Sequence, residues 1–394
     1  MKILFLAYYF TPDLSAGSFR NSSLFQELKS QLSSSDYVHV ITTIPNRYGS
    51  YSADCPQEER GDNYCINRLV VPKHSSGMIE QAKVFVSYYN GVRRLVRNEH
   101  YDMVYASSSR LFTAFLARQL AAKFHCPLYL DIRDIFVDTM KDIFKDKKWI
   151  QVPAVWMLGL VERYTFSHAT HINLISGGFK GYFSKYPRPS YSEFPNGIDD
   201  IFIEAGQETS VPASKPYYIT YAGNIGQGQG LEKIVPEAAL RLGSDYVFRI
   251  IGDGGTRKLL ESTLQAKHVN NVELYSPMAR EELIQFYKES TFLFFHLNDL
   301  EAFKKVLPSK MFEYGAFDKP IIAGVAGFAA DFVKTNIPNY ILFSPTDVDD
   351  MVSQIQQYEI RFEKRTQFLE NFSRASINKK MAESIRSVGN SKNN

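Results

Sequence analysis

Two α/β units in one chain, each a parallel sheet flanked by helices, are the architecture this sequence predicts. Three observations carry that expectation. Apolar runs of strand length alternate with helical patterns almost from end to end. The alternation breaks once, where Pro187, Pro189, Pro195, Pro212 and Pro216 cluster, and then resumes. A length of 394 residues exceeds what one core commonly organises.

Before the break, strands are expected at 2–7, 37–42, 67–71, 102–106, 127–132 and 171–175. Each is a run of aliphatic and aromatic residues bounded by polar or turn-forming ones. Helices fit 19–32, 78–97 and 112–124, where apolar residues return every three or four positions. After the break, strands at 217–222, 246–251, 272–275, 291–296, 320–323 and 340–343 alternate with helices at 231–242, 257–267, 281–288, 310–316 and 350–358. This places a first unit at 1–190 and a second at 191–361. Residues 362–390 read as a charged helix with no strand to follow, expected to pack back on the first unit. Residues 391–394 are expected to fray.

Composition narrows the function. Hydrophobic residues at 44% and charged residues at 22% are ordinary for a soluble globular protein. A net charge of +3 gives no footing for nucleic-acid binding. Cys55, Cys65 and Cys126 form no Cys-x-x-Cys pair and read as free thiols. The eight histidines lack ligand spacing, so no metal and no permanently bound cofactor is expected. Asp347-Val-Asp349 precedes a helical pattern and reads as a capping region. The apolar start at 1–7 is too short for a signal peptide, and no run reaches transmembrane length. A cytoplasmic protein is the expectation. Two stretches combine basic residues with apolar ones in a way that suits a membrane surface. One is 78–97; the other is Lys145-Asp-Lys-Lys148 running into Trp149 and Trp156. For both, a stripe facing the core is the competing reading.

Ligands of open α/β sheets bind beyond the carboxyl ends of the strands. Candidate residues are therefore sought just after strands. Leaving the first strand, Ser15-Ala-Gly17 brings backbone close to a ligand, with Arg20 in the helix that follows. In Asp131-Ile-Arg-Asp134, three charges crowd the end of an apolar strand, a costly arrangement unless they pair or work. Asp134 is the candidate to orient or deprotonate an acceptor hydroxyl, with Arg133 partly structural. Phe194-Pro-Asn-Gly-Ile-Asp199 is a turn at the start of the linker.

In the second unit, Gly223, Gly226, Gly228 and Gly230 stand between strand and helix, the setting of a phosphate cradle. Ile250-Ile-Gly-Asp-Gly255 repeats that setting, and Gly252 is placed to pass near a nucleotide base. His296 and Asn298 end a strand nearby and are candidates to read the sugar. Leu307-Pro-Ser-Lys-Met-Phe-Glu313 predicts a short helix started by Pro308 and capped by Ser309. Its unpaired N–H groups and Lys310 suit a diphosphate. Glu313, three residues on, can accept two hydroxyl hydrogen bonds, as a ribose would offer. An exposed Lys310–Glu313 helix pair is the plain alternative.

With these blocks in place, the chain resembles glycosyltransferase family 4, retaining enzymes of the GT-B fold. The blocks that carry the likeness are 8–20, 131–134, 194–199, 222–232, 250–255 and 307–322, in that order. The pattern is similar to the branch serving bacterial O-antigen and capsule. The resemblance implies two facing Rossmann-like domains with a deep interdomain cleft. It implies a UDP- or GDP-type sugar donor and a glycan or lipid-linked acceptor; peripheral contact with the cytoplasmic face of the inner membrane is what the two basic and apolar stretches would suit. Glu313 would bind the donor ribose, and Gly226 and Ser309 would meet the diphosphate. Gly17 would lie near donor or acceptor, and Asp134 at the reaction centre. The sequence departs from the family in two places. Lys305 stands where the family has the first Glu of a Glu-x7-Glu pair, and Asn224 and Gln229 stand where many members have Arg and Lys. Lys310 is the candidate to restore the missing charge. A sugar-nucleotide 2-epimerase of the same fold and a non-catalytic scaffold of an assembly complex are the rival readings.

Overall fold

Fully apolar runs such as Ile3–Ala7 can be buried on both faces, and they become the central strands of two separate sheets. The computed structural model describes residues 1–46, 53–72, 78–108, 111–208 and 214–390. Pro212 and residues 391–394, on which part of the linker and the frayed end were expected, lie outside the described residues. The chain divides into a first unit, Met1–Asn196 with the segment from Ala375 onward, and a second, Gly197–Arg374.

In the first unit the chain runs β1 (Lys2–Ala7), α1 (Ala16–Ser30), β2 (Tyr37–Thr43), β3 (Glu58–Gly61), β4 (Tyr64–Leu69), α2 (Met78–Leu95) and β5 (Met103–Ser108). It continues through α3 (Leu111–Phe124), β6 (Leu128–Ile132), α4 (Phe136–Ile143), α5 (Lys148–Phe166), β7 (His171–Leu174), α6 (Lys180–Phe183) and β8 (Ser190–Ser192). These strands form one sheet in the order β3-β4-β2-β1-β5-β6-β7-β8. All pairings are parallel except β3 with β4, which is antiparallel.

The second unit runs α7 (Asp200–Ala205), β9 (Tyr217–Asn224), α8 (Leu231–Leu242), β10 (Tyr246–Asp253), α9 (Arg257–Ala266), β11 (Val272–Tyr275) and α10 (Arg280–Glu289). It goes on with β12 (Phe292–His296), α11 (Lys310–Gly315), β13 (Ile321–Gly324), α12 (Phe328–Asn336), β14 (Tyr340–Phe343), α13 (Val348–Gln357) and α14 (Thr366–Phe372). Its sheet is parallel throughout, in the order β11-β10-β9-β12-β13-β14. Asp347 caps α13 by accepting from the Asp350 N–H at 3.0 Å. Cores form on both faces of this sheet, one around Phe312, Tyr314 and Leu293, the other around Phe248, Phe294 and Met351.

The last helix, α15 (Arg374–Asn390), returns to the first unit. Met381, Ala382 and Ile385 are fully buried there beside Phe5, Phe25 and Tyr105. The segment at 366–372 stays with the second unit, because Phe368 packs on Phe312 and Gly315. The two places where the chain passes between units are tied together. Ile198 N donates to Phe372 O at 2.8 Å, and Arg374 N donates to Ile198 O at 2.9 Å.

Candidate active site

The strand order fixes where a ligand site belongs. In the second sheet the order reverses between β9 and β12, the switch point beyond whose strand ends ligands of open α/β sheets bind. The glycine-rich loop leaves β9 and the segment with Asn298 leaves β12. The two loops are braced against each other. Asn298 N donates to Gly228 O at 2.9 Å, and Asn298 Nδ2 donates to Gln227 O at 3.1 Å. The loop itself is a tight turn in which the N–H groups of Gln229 and Gly230 both reach Gly226 O. Gly230 has φ +58°, a left-handed conformation that favours glycine, and a Cβ there would press on Asn298.

α11 lies beside this turn. Tyr314, fully buried, accepts from the Ala222 N–H at 3.0 Å and so docks the helix on the end of β9. Lys310 extends across Gly223: a Cβ at Gly223 would lie 2.9 Å from Lys310 Cε. Lys310 Nζ donates to Glu313 Oε2 at 3.0 Å. Glu313 is only 7% exposed. Burial works against its charge. Lys310, Arg280 and Arg374 outweigh that cost and hold its pKa below the usual carboxylate value. Arg280 and Arg374 themselves form ion pairs with the two carboxylate oxygens of Asp199, the former at 2.5 Å. The result is a buried carboxylate kept ionised among three cations, next to a glycine turn at the switch point.

Several expected residues fall into this arrangement and others leave it. Glu313, Lys310, Gly226 and Asn224 come together around the turn. Asn224 Nδ2 donates to the Gln229 side chain at 2.7 Å, so the two positions that lack the family's Arg and Lys bond to each other. Ser309 begins the helix but makes no capping bond with its side chain. Its φ of −61° and ψ of −28° are already helical, whereas a capping oxygen needs extended backbone. Gly252 lies opposite Gly223 in the β9–β10 register, and a Cβ there would sit 1.8 Å from Gly223 O. Close strand approach by itself requires a glycine there.

His296, a candidate to read the sugar, is bonded at both ring nitrogens. It is 1% exposed, with Nδ1 bonded to Gln229 O at 2.6 Å and Nε2 accepting from Thr346 N at 3.0 Å. Burial pushes its pKa down to about 4, so the ring is a neutral brace between loops. Asn298 is likewise occupied: besides the two loop bonds, its Oδ1 accepts from Lys233 Nζ at 3.1 Å. Arg280, Arg374, Asp199 and Lys233 were not singled out as charges of this site. Asp199 did end a recognised turn block, and Arg280 opens the helix after an expected strand.

The first unit has its own group after β1 and β6. Ser15 caps α1 by accepting from Ser18 N at 3.1 Å. Gly17 is buried under Arg133: a Cβ would fall 2.0 Å from Arg133 Nη1, so a side chain there would push the guanidinium aside. Asp134 follows β6 and is half-buried. Loss of water around its carboxylate pushes its pKa up to about 6, although the Ile135 N–H, the Thr139 hydroxyl and Arg133 oppose the shift. Arg20, a candidate for sugar or acceptor contact, is fully buried and paired with Asp131. Nε and Nη2 bond the two carboxylate oxygens at 2.9 and 3.0 Å. Nη1 and Nη2 also reach Pro195 O and Phe194 O at 2.7 and 2.8 Å. The charge crowding seen at 131–134 is thus half structural: Asp131 is the partner of Arg20, and Arg133 and Asp134 face other groups.

Among the described residues no group of three or more His, Cys, Asp or Glu is placed to hold a metal ion.

Residues 203–374 match the family described as Glycosyl transferases group 1. The chain is 25% identical over 303 residues to the proposed colanic acid biosynthesis glycosyl transferase WcaI of Escherichia coli (strain K12), covering 70% of this chain and 71% of that protein. Its fold is similar to that of sucrose-phosphate synthase from Thermosynechococcus elongatus, at a TM-score of 0.75 and 14% identity over 98% of this chain and 99% of the other. Anabaena HepE in complex with UDP-glucose gives a TM-score of 0.68 at 13% identity, over 98% and 100% of the two chains. The fold is the two-domain GT-B fold, and the protein is a glycosyltransferase.

Proposed function

We propose that this glycosyltransferase moves a sugar, with retention of anomeric configuration, from a UDP- or GDP-linked donor to a lipid-linked glycan in bacterial surface-polysaccharide synthesis. The observation that carries the proposal is Glu313, a buried carboxylate held ionised beside a Lys310 that crosses the glycine turn. WcaI, named for colanic acid biosynthesis, and HepE, solved with UDP-glucose, support the direction of the reading.

In this reading Glu313 accepts hydrogen bonds from the donor ribose. The turn at Gly226 and the start of α11 at Ser309 receive the diphosphate. Lys310 supplies the cation that Asn224 and Gln229 cannot, and stabilises charge that grows on the leaving group. The bond from the anomeric carbon to the diphosphate oxygen breaks, and a bond to the acceptor oxygen forms. Asp134 orients the acceptor hydroxyl and takes its proton, a role that its raised pKa suits. Gly17, with Arg133 above it, and Gly252 let backbone approach where side chains would block it.

Calorimetric titration of UDP and GDP into the wild type and Glu313→Ala tests the assignment. Loss of charged hydrogen bonds to ribose should weaken nucleotide binding by about 10- to 100-fold. The circular dichroism spectrum should stay native. Equal affinity in the two proteins would end the proposal.

A further inference from the structure

We propose that the exposed face of α5 is a docking surface for an anionic lipid bilayer. This deepens the reading of a lipid-linked acceptor, and rests on it for its purpose, but the surface itself is read from the helix.

α5 spans Lys148–Phe166 and carries the stretch for which a membrane-facing and a core-facing reading were both open. One side of it packs as any helix of this fold does: Leu158, Thr165 and Phe166 are buried, and Glu162 is buried against Tyr182, Tyr186 and Lys185. The other side is bare. Trp149 is 79% exposed and Trp156 68%, and Val152, Met157 and Leu160 are each at least half exposed. At 100° per residue these side chains, with Tyr164, fall within an arc of about 140°, along about 22 Å of helix. That is an apolar stripe as wide as one made for a core, facing outward.

The charges around the stripe choose the occupant. Arg163 is the sole ionised residue on the arc, and no carboxylate stands there. Lys145, Lys147 and Lys148, all exposed, outnumber the exposed Asp146 among them at the amino end beside Trp149. Two indoles and aliphatic groups flanked by lysines match the interfacial region of a bilayer, where amphipathic rings settle at headgroup depth and cations meet anionic lipid. The stripe in α2 is the useful contrast. Of the residues read as its stripe, Val92 and the following Val96 are buried, Phe85 and Tyr89 are partly buried and Ala82 is exposed, so that face packs for the most part, and Val86 and Leu95 are its exposed large apolar side chains. No helix among the described residues is long and apolar enough to cross a membrane, and α5 would lie on the surface.

The sequence holds two tryptophans, and both stand on this face. Tryptophan emission, excited selectively over the 24 tyrosines, therefore reports on this face. The full chain should be titrated with phosphatidylcholine vesicles, with and without phosphatidylglycerol, and with brominated lipids as quenchers. Anionic vesicles should shift the emission to the blue and brominated chains should quench it. Replacing Lys145, Lys147 and Lys148 with glutamine should weaken vesicle binding about a hundredfold. Trp156→Glu should abolish it without lowering the melting temperature, since the side chain it replaces is exposed.

Three results would overturn the inference. One is unshifted emission with every vesicle. Another is binding that the lysine substitutions leave intact. The third is a lipid-free dimer that Trp156→Glu dissolves, which would give the face to a second copy of the chain. Nucleotide titration of the same variants keeps the questions apart. Lipid binding with no UDP or GDP binding would sink the functional proposal and leave this one standing. Normal nucleotide binding without lipid binding would do the reverse.

Discussion

Removing the guanidinium of Arg20 would leave Asp131 buried, charged and short of its main partner. Both side chains are fully enclosed, so solvent cannot screen the loss. Burial raises the Asp131 pKa; the attraction and hydrogen bonds of Arg20, helped by Asn173, bring it below the ordinary value. Arg20→Ala should therefore cost about 3–5 kcal/mol, measurable by urea unfolding at neutral pH. Asp134 behaves in the opposite sense. Its folded pKa is raised to about 6, so folded protein holds the proton more tightly than unfolded chain does. The stability this confers is present below the unfolded value, about 4, and is lost as pH climbs through 6. Asp134→Asn should flatten the fall in unfolding temperature between those values. If Asp134 is also the base, wild-type kcat/KM should rise with pH through about 6, and the variant should lose both that step and most turnover. A variant with the wild-type stability profile would show that its carboxylate is not the group that titrates.

At the level of elements, the ends of β9 and β10 set the shape of the proposed nucleotide side. Gly252, with φ +147°, meets the carbonyl of Gly223 where any side chain would collide with backbone. Gly252→Ala should cost at least about 1–3 kcal/mol, as overpacking does, and should weaken UDP or GDP binding by displacing the turn that follows. Thermal unfolding with and without nucleotide separates the two effects. A protein that loses neither stability nor affinity would mean that this pair of strand ends is free to spread. The central strands were legible because an apolar run buried on both faces has no rival interpretation. β3 was not: its Glu58-Glu-Arg-Gly61 sequence is polar, and it forms only as a charged edge hairpin with β4. The stretch at 145–156 stood out for its lysines and tryptophans, but α5 itself was not assigned as a helix, since Pro153 interrupts the pattern. Within the site, Glu313, Lys310 and the glycine turn could be located by their order after strands. The roles of His296, Asn298 and Arg20 could not, because only coordinates reveal that each polar group already has a partner.

For the molecule as a whole, the final helix belongs to the core of the unit that the chain built first. Met381 is fully buried beside residues of β1 and β5 and touches Arg20 Nη2 through its sulfur at 3.4 Å. Met381→Ala should cost about 2–5 kcal/mol in the unfolding of the first unit, read by calorimetry as a lowered transition. Nucleotide affinity should be unchanged, because Glu313 and its surroundings lie in the second unit. A shift in both properties would mean that the two units do not unfold separately.

The bridge between Ile198 and Ser373 has a topological meaning. The second unit enters and leaves at one spot, as an insert whose two ends are stitched to each other. Such an insert can be excised without leaving a gap. Asn196 joined to Ala375 through a short glycine-serine tether should give a first unit with every strand still in place, and Gly197–Arg374 should form a free-standing nucleotide binder with its termini side by side.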